Sequence, residues 1–261
     1  MPAEEVFYYL HEDGKLIEAV LTHVDGLIVA GNAVFNEMIR KKIAMVLTVS
    51  KIERDKFRFT VWDIEKCADG RIRVSMNYHA KSMEEVKSII KGERTKKLNC
   101  AEMMEYRRFT GKLNWLDLGT HTDLNYTMLE MSKKNNSAIL ANIQKVTKVM
   151  KKVKSKESEV FYRRVGDRDE LQLIGIEYAF FKQDEKVVRV VILLLANKNF
   201  KRAGPIYWKI KQIERVGLAL KNAETLIFNK MVEDAVLAAR KIETLLYRSY
   251  EKRLPIHLYT D

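Results

Sequence analysis

Few residues in this sequence have the types and spacing that catalysis or metal binding requires. The five histidines, among them His23, His79 and His121, share no close spacing, so neither a zinc site nor a general base is supported. Cys67 and Cys100 have neither metal-ligand spacing nor a disulfide framework around them, which indicates a reducing compartment. The sequence also lacks the motifs of phosphate-binding loops, hydrolase nucleophiles and helical zinc sites. We therefore expect no cofactor.

The strongest chemical signal is an excess of positive charge. The chain has 47 Lys and Arg against 35 Asp and Glu, a formal net charge of +12, and this balance favours a polyanionic partner, most often nucleic acid. The candidate nucleic-acid-binding residues form one dense segment and are Lys145, Lys148, Lys151, Lys152, Lys154, Lys156, Arg163 and Arg164. The alternative is a merely solvated surface, but the clustering favours nucleic-acid contact.

A helix predicted over residues 138–152 must position most of these lysines. Its apolar residues recur with helical spacing on one side, and its lysines lie on the other. The apolar side consists of Ile139, Ile143, Val146, Val149 and Met150. Such a helix could lie along nucleic acid or cover a sheet, and the two roles are compatible because they use different faces.

Local patterns predict further elements on both sides of this helix. Asp-Gly pairs, the strongest signal for a tight hairpin turn, occur at residues 13–14, 25–26 and 69–70. Strands are predicted at residues 57–64 and 72–76, and the pattern becomes strand-rich after residue 160. Helices are predicted over residues 32–46 with Asn32 as cap, over residues 82–91 with Ser82 as cap, and over residues 220–250.

Composition limits the class of protein. A chain of 261 residues with 47% apolar residues can form one large or two modest domains. With three prolines and no Gly/Ser-rich run, it should pack those domains against each other. No apolar run reaches membrane-spanning length, and residues 187–196 are typical of a core strand. The acidic, aromatic N-terminus is not typical of a signal peptide, so we expect an intracellular protein.

The least generic stretch is residues 106–126, YRRFTGKLNWLDLGTHTDLNY. We interpret Trp115, Leu116 and Leu118 as a buried anchor and Gly111 as a turn. Thr122 and Asp123 could cap a helix that begins near Leu124.

This stretch resembles the joint between polymerase and ribonuclease H in copia-type (Pseudoviridae) LTR-retrotransposon polyproteins. GPIYWKIKQ, NAETLIF and LPIHLYTD, at residues 204–212, 222–228 and 254–261, are similar to motifs of the same family's RNase H-like domain. The resemblance implies an α+β fold: a partial reverse-transcriptase palm and thumb at residues 1–100, a helical connection at 101–157, and a C-terminally truncated RNase H-like domain with a mixed sheet and helices at 158–261.

The resemblance also locates remnants of the family's metal-binding carboxylates. The polymerase pair of aspartates is Asp25 followed by Gly26 here, which keeps the hairpin turn and loses a metal ligand. A two-metal site needs several converging carboxylates, so we expect no polymerisation.

The RNase H carboxylates are also incomplete under this resemblance. Glu224 and Asp261 match the second and third ligands, Tyr178 stands where the first aspartate is expected, and the fourth would lie beyond residue 261. Glu177 is adjacent to Tyr178 but should point to the opposite face of its strand. Asp25, Glu224 and Asp261 are therefore interpreted as relics, and the protein is predicted to be no enzyme and to hold no metal.

These observations predict a non-catalytic, retrotransposon-derived protein that binds nucleic acid, RNA more than DNA. It would be a structural subunit of a ribonucleoprotein such as an organellar ribosome, with other proteins as further partners and no membrane contact. The cytoplasm, the nucleus and the mitochondrion are all compatible with the sequence. The alternatives are a residual metal-dependent nuclease that uses Glu224, Asp261 and Glu177, and a protein–protein scaffold.

Overall fold

The fold is described from a computed structural model that defines residues 6–13, 15–23, 26–49, 51–84, 92–181, 187–213, 220–247 and 253–260. The elements within these ranges form three antiparallel or mixed sheets and a helical region between them. The α+β class predicted from the sequence is confirmed.

The first sheet has the order β1-β2-β3, with β1 at Val6–Glu12, β2 at Lys15–His23 and β3 at Gly26–Ala30. Glu12 pairs with Lys15 across the predicted Asp-Gly turn, where Asp13 has a φ of 49°. Helix α1 follows at Ala33–Val46. As predicted, Asn32 caps it, because its side chain accepts a hydrogen bond from the backbone N of Phe35 at 2.9 Å.

The second sheet has the order β4-β5-β6-β7. Its strands are β4 at Lys56–Phe59, β5 at Trp62–Lys66, β6 at Ile72–Ser75 and β7 at Glu159–Tyr162. The single strand predicted over residues 57–64 is wrong, because the chain turns at Thr60, with a φ of 55°, and continues as β5. Strand β7, which lies more than eighty residues further along the chain, pairs with β6 and forms one edge of the sheet.

The described residues in the middle of the chain form four helices. They are α2 at Asn77–Ser82, α3 at Cys100–Gly119, α4 at Asn125–Ser132 and α5 at Leu140–Ser155, with a 3-10 turn at Thr122–Leu124. Asn99 and Glu102 form a reciprocal capping box that starts α3. Ser82 is the last residue of α2, and the helix predicted over residues 82–91 falls largely on residues 85–91, outside the described residues.

Three interpretations of residues 106–126 are wrong. Gly111 lies inside α3, so it makes no turn. Trp115 and Leu118 are 51% and 54% exposed, because helical spacing places them away from the side on which Leu116 is buried. Helix α4 begins at Asn125 with no side-chain cap, and Thr122 and Asp123 belong to the 3-10 turn.

The third sheet has the order β10-β9-β8-β11 and contains β8 at Leu171–Phe181, β9 at Val187–Asn197, β10 at Ala203–Ile213 and β11 at Ile256–Thr260. Strand β11 runs parallel to β8, and α6 at Leu220–Tyr247 packs on one face, confirming the predicted long helix as far as Tyr247. Strands β8 and β11 approach closely at Gly175, where an added Cβ would lie 2.7 Å from Leu258 Cδ2. The core between sheet and helix includes Leu173, Val191, Leu193, Met231 and Ala235.

Several contacts join the parts of the chain. Besides the β6–β7 pairing, the His11 ring nitrogen Nε2 lies 2.8 Å from the backbone carbonyl oxygen of Leu245, linking the first sheet to α6. The division at residues 100 and 157 stays a prediction, and β7 lies just beyond its second boundary. Within the described ranges, no helix is long and apolar enough to cross a membrane.

Candidate nucleic-acid interface

Helix α5 places most of the candidate lysines opposite a buried apolar side. At its start, the Asn142 side chain accepts a hydrogen bond from the backbone N of Ile139 at 2.9 Å. The buried side consists of Leu140, Ile143, Val146, Met150 and Val153, which pack into the helical core. This packing fixes the helix axis and rotation, so the direction in which its lysines project is fixed as well.

Four exposed lysines of α5, Lys145, Lys148, Lys151 and Lys152, form what we call the lysine face. Lys145, Lys148 and Lys152 are three and four residues apart and therefore lie along one side of α5. Lys151 is exposed beside them, and Lys156 follows the helix end. Within the described part of the chain, Lys145, Lys148 and Lys151 have no acidic partner. Their charge is therefore available to an anionic ligand.

Asp123 forms ion pairs with lysines at the C-terminal end of the lysine face. Its Oδ2 lies 3.0 Å from Lys156 Nζ and 3.6 Å from Lys152 Nζ. Although partial burial alone would raise it, the pKa of Asp123 is lowered by the Lys156 hydrogen bond and by the charges of both lysines. No local pattern in the sequence predicts this contact, because the partners are about thirty residues apart.

The other candidate residues do not join the lysine face. Lys154 is half-buried and lies on the other side of α5 from Lys152, since two residues advance about 200° around a helix. Arg163 and Arg164 follow β7 and are exposed, and Arg164 is paired with Asp167. The structure thus brings together five of the eight predicted residues.

Asp117, at the end of α3, is a buried acid that the sequence analysis missed. Burial raises its pKa to about 7, although the hydrogen bond from the Asn125 amide works against this shift. Its backbone carbonyl accepts a hydrogen bond from Trp208 Nε1 at 3.3 Å. Asp117 therefore lies where the third sheet meets the helical core.

Of the three predicted relics of catalysis, one lies among the described residues. Asp25 and Asp261 lie outside the described residues, and Glu224 is exposed near the start of α6. Tyr178 is half-exposed on β8, whereas Glu177 is buried on the opposite face, as strand alternation requires.

Glu177 is held by a buried arginine. Arg189 pairs with Glu177 and also donates from Nη1 to Asp234 Oδ2 at 3.0 Å. Burial raises the pKa of Glu177, and the guanidinium beside it offsets part of this shift. Asp234 is ten residues from Glu224, or about 15 Å along the helix. Glu177 is therefore linked, through Arg189 and Asp234, to a part of α6 far from Glu224.

Two magnesium ions, which the copia-type resemblance implies, do not fit the described carboxylates. In the described ranges, no group of three or more His, Cys, Asp or Glu side chains could hold a metal ion. One potential ligand, Glu177, is already paired with Arg189.

Comparisons with known proteins show a likeness of fold. No protein-family model matches the sequence. No curated protein matches it either. Among solved structures, the foamy viral protease-reverse transcriptase in complex with an RNA/DNA hybrid is similar, with 12% sequence identity and a TM-score of 0.50. The match covers 92% of this chain but only 30% of that one. The fold of this chain is therefore similar to that of part of this protein, and the chain spans less than a third of that protein's length.

Proposed function

We propose that this chain is a non-catalytic descendant of a copia-type element that binds nucleic acid, RNA in preference to DNA, through the lysine face of α5. The observation that carries the proposal is the row of Lys145, Lys148 and Lys152 opposite a fully buried apolar side. A helix that merely covers a core needs only a polar outer face. A row of one sign of charge favours phosphate groups.

The length of the lysine face suits a nucleic-acid strand. From Lys145 to Lys152 the helix rises about 10 Å. A strand of duplex DNA carries one phosphate per about 3.4 Å of axis, so several phosphates fall within this length. Lys151 and Lys156 extend the positive surface at its side and end.

A non-catalytic role is supported by the carboxylates. Tyr178 cannot bind a metal as the family's aspartate does, and the Glu177 carboxylate is paired with Arg189. The structural neighbour is in complex with an RNA/DNA hybrid, which makes a nucleic-acid ligand reasonable for the same fold. A place in a ribonucleoprotein such as an organellar ribosome is part of this proposal.

The proposal is tested with the triple variant Lys145→Gln, Lys148→Gln, Lys151→Gln. Gln keeps helix propensity and removes three charges that are unpaired among the described residues. If all three contact phosphates, affinity for a single-stranded RNA should fall on the order of 100-fold at 0.1 M salt, since each contact contributes about 0.7 to the salt slope. The readout is fluorescence anisotropy of a labelled RNA.

A matched control removes three exposed lysines from other elements, Lys41→Gln, Lys42→Gln and Lys198→Gln. It has the same net charge as the test variant. A similar loss of affinity in both triples would mean that only net charge matters. No loss in the α5 triple would contradict the proposal.

A further inference from the structure

An aromatic strip lies beside the lysine face. Tyr126 on α4 contacts Phe180 on β8 with ring centroids 6.2 Å apart, and Phe180 contacts Tyr178 at 6.0 Å. Tyr126 and Tyr178 are 42% and 48% exposed. The rings are tilted by 45° and 31° and do not stack face to face on one another. Part of each tyrosine ring is therefore open to solvent.

The strip lies on the face of the third sheet opposite α6. Ala179 packs with Ile227 of α6, and Glu177 is linked to Asp234 of α6 through Arg189. Because side chains alternate along a strand, Tyr178 and Phe180 point to the other face. There the strip continues into Ile176 and Tyr259, which are half-exposed neighbours across the β8–β11 pair.

The 3-10 turn links the strip to the lysine face along the chain. Asp123, which binds Lys152 and Lys156, is three residues before Tyr126. Residues three apart on a helical turn are neighbours, with Cβ atoms about 5–6 Å apart. The lysines at the C-terminal end of α5 and the exposed ring of Tyr126 are therefore linked through Asp123.

A sheet face that contacts water is normally polar, so the outward side chains of Ile176, Tyr178 and Tyr259, one aliphatic and two aromatic, indicate an occupant. The composition distinguishes this surface from the exposed face of α1, where Val34, Met38 and Met45 are aliphatic. Flat rings next to phosphate-binding charge are the combination used to hold unpaired bases.

We propose that Tyr126 and Tyr178 stack unpaired bases of a nucleic-acid strand whose phosphates lie on the lysine face. This inference rests on the proposed function and adds the ligand class: single-stranded nucleic acid binds more tightly than duplex. Bases in a duplex are paired and stacked on one another, so they cannot reach the tyrosines, while phosphates reach the lysines in both forms.

The test compares two probes on the full chain: a labelled single-stranded RNA of mixed sequence, and the same RNA paired with its complement. The test variant is Tyr126→Leu with Tyr178→Ile, which removes the rings and keeps apolar bulk suited to helix and strand. Loss of one stacked base weakens binding about 5-fold to 150-fold. We expect at least a fivefold loss for the single strand and no change for the duplex.

Three further variants serve as controls for this result. Tyr178→Ile alone disturbs the fold least. The double variant Tyr126→Phe with Tyr178→Phe keeps the rings and should bind like the parent. Tyr8→Leu removes an exposed tyrosine on β1 as a matched control. Single-strand affinity unchanged by ring removal, or lost equally for the duplex, overturns the stacking proposal. If the Lys145, Lys148, Lys151 triple still loses affinity in that case, the proposed function stands. A parent chain that binds neither probe overturns both.

Discussion

At the scale of single residues, burial changes what an acidic side chain can do. Asp117 and Glu177 are both nearly fully buried, yet Glu177 has a guanidinium partner, whereas the side chain of Asp117 accepts from the amide of Asn125 and pairs with no cation among the described residues. An unpaired carboxyl is easier to bury in its neutral form. Burial raises the pKa of both carboxyls, that of Asp117 to about 7, and the Arg189 guanidinium offsets part of the shift for Glu177.

The raised pKa of Asp117 predicts that the stability of the folded chain depends on pH. Its folded pKa of about 7 lies above its ordinary value of 3.8, so the folded chain holds a proton that the unfolded chain loses, and stability falls as pH rises from about 4 to 7. The shift corresponds to about 4 kcal/mol at full ionisation. Asp117→Asn should therefore stabilise the fold at pH 8 more than at pH 4, measured by urea unfolding at both values. An equal effect at the two pH values would contradict this.

At the scale of elements, a buried arginine links α6 to the third sheet, in addition to the apolar core between them. Arg189 on β9 connects Glu177 on β8 with Asp234 on α6. Removing one partner of a buried pair leaves an uncompensated charge, which costs more than replacing the pair by apolar groups.

Arg189→Met should destabilise the chain by about 3–5 kcal/mol, because Glu177 then remains buried without its partner. Adding Glu177→Gln should recover part of this loss, since the buried charge is gone. Chemical denaturation of the parent and both variants provides the measurement. A double variant less stable than Arg189→Met alone would show that the ion pair does not connect these elements.

Local elements could be predicted from the sequence where the signal is local. The hairpin at Asp13, the cap at Asn32 and the long helix α6 each follow from neighbouring residue types. The pairing of β6 with β7 could not be found in this way, because its partners are more than eighty residues apart and no period links them. The candidate site is intermediate: helical spacing placed the lysines of α5 on one side, but the link from Asp123 depends on tertiary packing.

At the scale of the whole molecule, the fold and the charge are separate signals. The fold is similar to that of part of a protease-reverse transcriptase, and a fold alone does not establish chemistry. The function proposed here therefore depends on the lysine face and on the carboxylates.

The purified chain should neither extend a primer nor cut an RNA–DNA hybrid with magnesium or manganese. Tyr178→Asp alone should not restore cleavage, because residue 178 lies on the sheet face opposite the one that packs against α6, which carries Glu224. Both are measured by gel assays of labelled substrates. Cleavage that Glu224→Gln abolishes would favour the nuclease alternative.

The central claim is that phosphates bind the lysine face, and the salt dependence of RNA affinity tests it most directly. Each single-strand phosphate contact contributes about −0.7 to the slope of log K against log salt. The Lys145, Lys148, Lys151 triple should flatten the parent slope by about 2, while the Lys41, Lys42, Lys198 triple leaves it unchanged. Identical slopes for the parent and the α5 triple would contradict the account.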